Sequence, residues 1–237
     1  MLKTIISIYI FITPIITVIG QSKLKPLDPN ITDLSLVKFI EDLNLAVENK
    51  DEAFILSHLD TEIMNSFGGN GGIEEFKDYW SWNSGETGFW LVMKKILSLG
   101  GGKYVEGVSY SMPYVFSDWP ENTNYDPYTY MAITGSNVNV RDTPSLTDSQ
   151  VLGQFTYDIV KVDYDKSYPS YEQHKKERKT GLYNDVIGYK RWFYSESVDG
   201  NLKGYVYRDF IWSPIGYRIG FYKIEGEWKI TSLLAGD

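Results

Sequence analysis

The chain offers little of the usual catalytic equipment. Its only imidazoles are His58 and His174, and it contains no cysteine. Thiol catalysis, cysteine-ligated zinc or iron and disulfide bridging are therefore excluded together. The two histidines lie far apart on segments of different character, and no His-Glu-x-x-His helix supplies a zinc pair. His58 has no second histidine or carboxylate cluster beside it, so a packed helix position explains it better than a metal or a base does. No serine stands in a Gly-x-Ser-x-Gly elbow. Carboxylates are plentiful, with 31 Asp and Glu against 23 Lys and Arg. The close pairs Asp118 and Glu121, Asp163 and Asp165, and Glu225 and Glu227 fall on loops or turns, where solvated pairs are the rule. The run Gly68-Gly69-Asn70-Gly71-Gly72 lacks the Lys-Ser/Thr end of a phosphate loop and predicts a flexible turn before a helix. No catalytic residue, metal ligand or cofactor is assigned, and the chain is expected not to be an enzyme.

Composition narrows the classes further. The 237 residues carry a formal charge of -8 and a pI near 4.9, which speaks against a general nucleic-acid binder, since such a protein needs a basic footprint. Aromatic residues make up 16% of the chain, including 19 Tyr and 7 Trp, a bias that favours sheet-containing structure. Lys3 followed by the apolar stretch Ile5–Ile19 reads as an export leader, with cleavage expected before Gln21 and residues 1–20 removed. No second long apolar segment follows, so no transmembrane segment is expected in the mature chain. The expected location is the bacterial periplasm or the exterior.

The elements that must position any site change character along the chain. Residues 21–33 form a Pro-containing linker. Leu36, Ile40, Leu43 and Val47 recur at helical spacing, Glu52–Leu59 and Ile73–Trp80 suggest shorter helices, and Phe89, Trp90, Met93, Ile96 and Leu97 mark another that stops at Gly100. Tyr104 to Phe116 is predicted as one extended strand bent at Pro113. From Tyr128 onward the pattern becomes short β-prone segments: Tyr130–Thr134, Val138–Arg141, Val151–Phe155, Ile159–Val162, Lys190–Ser195 and Lys203–Tyr207. Finally, Tyr217–Ile224 and Glu227–Leu233 flank Glu225-Gly226, a hairpin turn.

Two resemblances organise these segments. Val138-Asn139-Val140-Arg141, Pro144-Ser145 and Val151-Leu152-Gly153, followed by Trp192, Gly204-Tyr205-Val206 and Phe210-Ile211, resemble a bacterial SH3-like (SH3b) domain over residues 128–212. The segment Asp163–Tyr189 stands where such domains have a short loop and contains the basic run His174–Lys179. The string Phe221–Thr231 with the ending Ala235-Gly236-Asp237 resembles the last hairpin of cystatin-like or NTF2-like α+β proteins. The expected fold class is therefore α+β, a helical N-terminal region packed on an antiparallel sheet plus a small all-β SH3-like barrel. Residues 34–127 supply the first part, 128–212 the barrel with its insert 163–189, and 213–237 a hairpin that completes the first domain.

The SH3-like resemblance implies a shallow aromatic groove. Its candidate ligand-binding residues are Tyr157, Tyr164, Trp192, Tyr194, Tyr205, Tyr207 and Arg141. The implied partners are a cell-wall peptide or glycan, or another envelope protein, bound by a non-catalytic exported binding or scaffolding protein. Two alternatives stand beside that reading. One is a regulator or accessory subunit of a cell-wall hydrolase, and the other is a carboxylate-dependent enzyme working in an NTF2-like cavity.

Overall fold

A computed structural model describes residues 22–27, 30–82, 87–121, 123–179 and 188–236; the expected leader, residues 1–20, lies outside them. Helix α1 (Leu34–Asn49) begins where the Asp33 carboxylate accepts the Ser35 N–H, and ends at Lys50, whose left-handed φ of 54° turns its N–H back onto the Ala46 and Val47 carbonyls. Asp51 starts α2 (Glu52–His58) in the same way, accepting from the Phe54 N–H. The chain then passes without a loop into β1 (Leu59–Met64), a strand absent from the sequence expectation. Helices α3 (Ile73–Tyr79) and α4 (Phe89–Leu99) follow. The predicted single strand of Tyr104–Phe116 is instead three elements, β2 (Tyr104–Val105), β3 (Ser109–Met112) and α5 (Tyr114–Ser117). The reason is local: Gly107 adopts a φ of 65°, which folds β2 back onto β3.

The C-terminal hairpin, β11 (Arg218–Ile224) and β12 (Glu227–Leu234), turns at Glu225 and Gly226, both with positive φ. It joins the early strands in a five-stranded sheet of order β1-β12-β11-β3-β2, with β1 parallel to β12 and the other pairs antiparallel. Strand alternation gives this sheet two faces. One presents Tyr110, Met112, Ile219, Phe221, Trp228, Ile230 and Leu233 to α1–α4, where they are buried with Leu36, Leu43, Phe76, Trp82, Phe89 and Ile96. Phe221 meets the Phe39 ring edge-on at 5.5 Å, so helix and hairpin share one core. The other face carries Ser109, Ser111, Gly220, Tyr222 and Ser232.

The second sheet comprises β4 (Tyr130–Ile133), β5 (Val138–Arg141), β6 (Val151–Phe155), β7 (Ile159–Tyr168), β8 (Trp192–Ser197), β9 (Lys203–Tyr207) and β10 (Ile211–Trp212). Its order is β10-β4-β7-β8-β9-β5-β6, and the end strands β10 and β6 do not pair with each other. This overturns the SH3-like recognition and the expected small all-β barrel: the fold is α+β with two open sheets and several helices. The physical reason lies at the β10–β4 end. Ala132, Ile159 and Trp212 bury themselves against Leu24, Leu99, Tyr114, Val115 and Tyr125 of the N-terminal part, so that end is covered by packing rather than closed onto β6. Met131, Ile133, Val138, Val140, Phe155, Val160, Val162, Val206 and Ile211 form the sheet's own core. Asp163–Tyr189 is not a simple loop, because β7 runs on to Tyr168 and α6 (Tyr171–Lys179) follows it. Among the described residues, no helix is long and apolar enough to cross a membrane.

Candidate functional site

Most of the residues expected to line an SH3-type groove fall on neighbouring strands of the open sheet, with Trp192 opposite Tyr207, Tyr194 opposite Tyr205 and Arg141 opposite Tyr205. Tyr157 sits at a turn with a φ of 55°, its carbonyl accepting the Leu24 N–H. Trp192 is buried and meets Tyr207 edge-on at 5.1 Å, while Tyr194 meets Tyr205 edge-on at 5.2 Å. Burial raises the Tyr205 phenol above its ordinary value. Tyr164 stands beside Phe193 at 6.2 Å, and burial raises its phenol as well. The Lys166 ammonium lies 5.1 Å from the centre of the Tyr194 ring and is held 2.8 Å from the Asp163 carboxylate. Arg141 spends an N–H on Ser149 Oγ at 2.9 Å and lines a shallow dent with Trp192 and Tyr207. The rings pair mainly with each other, on an open sheet. The SH3-groove function is withdrawn with the barrel.

A more developed cleft, of about 500 Å³, lies on the outer face of the five-stranded sheet. Its floor is polar and short-chained, built by Ser109 and Ser111 of β3, Gly220 of β11 and Thr231 and Ser232 of β12. A Cβ on Gly220 would stand 2.6 Å from Ser232 Oγ, so the missing side chain keeps the floor low. Met64, Phe67, Phe116 and Tyr222 form apolar walls, and each is at least two-fifths exposed. At one end Arg218, only 8% exposed, places its guanidinium 4.7 Å from the Phe116 ring centre and 5.3 Å from that of Phe67. A guanidinium held between two ring faces is stabilised by their quadrupoles and is weakly hydrated, which suits it to desolvated contact with a carboxylate.

Local sequence explains how those rings are placed. Phe67 lies in the loop between β1 and α3. There Glu75, in the first turn of α3, accepts from the Asn70 N–H at 2.7 Å and the Gly71 N–H at 3.2 Å. Asn65 donates to the Gly72 carbonyl, and the Gly72 N–H returns to the Ile63 carbonyl at 2.8 Å. The glycine run thus serves as a pinned loop that presents Phe67. Phe116 belongs to α5, whose start is fixed by the Tyr114 N–H donating to the Gly100 carbonyl. Sequence reading missed this site because its parts come from distant segments. The available signal was Arg218, a cation at the first position of β11 just before the inward-facing Ile219 and Phe221.

The carboxylates with resolved shifts all lie on the ionised side of their ordinary range. Lys223, then Ser35, lowers Asp33; Lys166 lowers Asp163; Ser197 and Asn201 lower Asp199; and Lys229 lowers Glu227. These groups act as anchors for hydrogen bonds and ion pairs. The space between the helices and the five-stranded sheet, where the carboxylate-enzyme alternative places an NTF2-like cavity, is filled by Phe39, Phe76, Trp80, Trp82, Phe89 and Phe221. Among the described residues, no group of three or more His, Cys, Asp or Glu side chains is placed to hold a metal.

No protein-family model, curated protein or solved structure matches this chain.

Proposed function

We propose that this chain is an accessory or regulatory protein without catalysis of its own, acting through an exported partner protein that docks on the outer face of the five-stranded sheet. The observation that carries this reading is the clamped guanidinium of Arg218 at the end of an aromatic-walled cleft. Arg, Tyr, Phe and Met are enriched at protein–protein contacts, and a cation shielded between rings is a frequent anchor there. The occupant we assign is an extended partner segment with an apolar residue for the Phe67 and Phe116 walls and a carboxylate for Arg218. The serine and threonine floor suits that segment's backbone. The leader pattern at the start of the chain supports an exported partner, and a cell-wall hydrolase is the class to test first.

The experiment places a photo-crosslinking residue at Tyr222 in the mature protein, identifies the attached partner, and titrates that partner in pure form. A joint Phe67→Ala and Phe116→Ala variant is expected to weaken binding at least tenfold with the fold intact. Leu91→Ala, an exposed apolar position on α4, is expected to leave it unchanged. If no partner is cross-linked, or the double variant binds within twofold of wild type, the reading fails.

A further inference from the structure

The edges of the two sheets are treated differently. In the five-stranded sheet, the Ile63 carbonyl of the edge strand β1 accepts the Gly72 N–H of the following loop, and β2 at the far end is only two residues long. In the second sheet, β10 is covered by the packing of Trp212 against the N-terminal part. The edge left is β6. Among the described residues it pairs with β5 alone, over five residues.

This edge lacks the usual protection. Residues 149–157 contain no Lys, Arg, Asp, Glu or Pro, in a chain whose formal charge is -8. Open strands are ordinarily guarded by such residues, because a row of unpaired N–H and C=O groups recruits another strand. Val151 is 49% exposed and Leu152 is 52% exposed. The pairing with β5 fixes which backbone groups are on offer. At one end the Asp142 N–H donates to the Gln150 carbonyl, and at the other the Tyr157 N–H donates to the Gly135 carbonyl. Gly153 opposite Val140 and Phe155 opposite Val138 continue that inward phase. Antiparallel alternation then turns outward the backbone groups of Gln154 and of Leu152, which sits at the irregularity beside Val140 and Arg141.

We propose that β6 is a self-association edge, on which β6 of a second copy of this chain pairs antiparallel about a twofold axis at Gly153. The outward groups are symmetric about that residue, so Leu152 of each copy exchanges backbone hydrogen bonds with Gln154 of the other. The two glycines meet as the close, non-hydrogen-bonded pair, with Cα atoms about 4.5 Å apart. Val151 comes opposite Phe155 of the other copy, a favourable pairing of a β-branched and an aromatic side chain. The two Leu152 side chains become diagonal neighbours on the opposite face. With no charge along the strand, two acidic chains meet there without like charges facing across the seam. This surface lies on the second sheet, goes beyond the partner-docking reading and does not depend on it.

The test follows the mature chain by sedimentation equilibrium from micromolar to millimolar concentration, where a reversible dimer is expected. Leu152→Lys puts a charge on the seam, and Gln154→Pro removes an outward N–H without touching the β5 ladder. Each is expected to weaken association at least tenfold while the thermal transition is retained. Leu91→Lys, on α4, is expected to leave association unchanged. The chain contains no cysteine, so introduced thiols report the register directly. Leu152→Cys and Gln154→Cys chains, mixed and oxidised, are expected to cross-link to each other, since a hydrogen-bonded pair with Cα atoms about 5.5 Å apart lies within disulfide range. A chain that stays monomeric at millimolar concentration overturns the proposal, and so does a dimer that both seam variants leave within twofold of wild type. Cross-linking confined to Leu152→Cys with its own twin overturns the twofold at Gly153.

Discussion

Asp33 ties the first helix to the last hairpin, and we predict that its loss is felt across the whole N-terminal core. One carboxylate oxygen accepts the Ser35 N–H at 2.8 Å and the Ser35 hydroxyl at 2.5 Å, while the other accepts from Lys223 Nζ at 2.8 Å. Ser35 Oγ in turn receives Lys223 Nζ at 3.0 Å and the Trp228 indole N–H at 3.1 Å. Removing an N-cap side chain costs about 1 kcal/mol. The ion pair is mostly shielded, its side chains 24% and 15% exposed, so its charged hydrogen bond adds roughly 1–2 kcal/mol. Asp33→Ala is thus expected to cost about 2–3 kcal/mol, or a melting-temperature drop of roughly 4–12 °C for a chain of this size. Asp33→Asn keeps a good cap and is expected to cost only the ionic part, about 1–2 kcal/mol. The Lys223 bond, followed by those from Ser35, holds this carboxyl well below the usual carboxylate range. A depressed folded pKa stabilises fully above the unfolded value of about 3.9 and is lost as pH falls through the folded one. The gap between wild type and Asp33→Asn should therefore be flat from neutral pH down to about 5 and narrow below about 4. Thermal and urea denaturation, with a double-mutant cycle against Lys223→Met, measures each quantity. Equal stability of the Ala and Asn variants, or no coupling to Lys223, would refute this account of the knot.

The other predictions concern loop, strand crossing and helix docking. Glu75→Ala removes the acceptor of the Asn70 and Gly71 amides and is expected to cost about 1–2 kcal/mol, with faster hydrogen exchange at those two amides. Gly204→Ala places a Cβ 2.5 Å from the Arg141 carbonyl, where β9 crosses β5, and is expected to destabilise by roughly 1–3 kcal/mol in urea titration. Arg191 grips the Glu177 carboxylate through both guanidinium nitrogens at 2.8 and 2.9 Å and lies 5.3 Å from the Tyr168 ring centre. Lysine cannot reproduce that fork, so Arg191→Lys is expected to loosen α6 by about 1 kcal/mol or less, seen as faster proteolysis within Tyr171–Lys179.

Much of the element pattern was legible because it depends on local periodicity. The spacing of Leu36, Leu43 and Val47 puts three buried residues on one face of α1, and Val138 and Val140 alternate inward along β5. The turn at Glu225-Gly226 was equally local. Closure was not, because it is decided by whether two edge strands meet. Nothing in Val151–Phe155 or Ile211–Trp212 records that Trp212 is buried against Leu24 and Tyr114 instead. Strand β1 was hidden for a different reason. It starts at the residue after α2, with no glycine or proline between, and only Leu59 and Ile63 of its six side chains are buried. The outer cleft was invisible because Phe67, Phe116 and Arg218 are adjacent only after β1, α5 and β11 have been assembled.

The hairpin explains why these surfaces can be separated experimentally. Ile219 and Phe221 on β11, with Trp228 and Ile230 on β12, point into the helix-packed core. Arg218, Gly220 and Tyr222 alternate with them and face the outer cleft. Just before β11, Gly216 and Tyr217 turn toward a cavity where the two sheets meet, and Ala235 does so just after β12. Neighbouring residues therefore belong to three environments, and each substitution samples one of them first. Truncating Tyr222 strips an exposed ring from the cleft wall, whereas truncating Phe221 opens a hole beside Phe39 and Tyr110. Cavity formation at such a fully buried phenylalanine costs about 3–5 kcal/mol, while an exposed ring costs little. Loss of partner binding with stability retained thus points to the outer face, and loss of both points to the core.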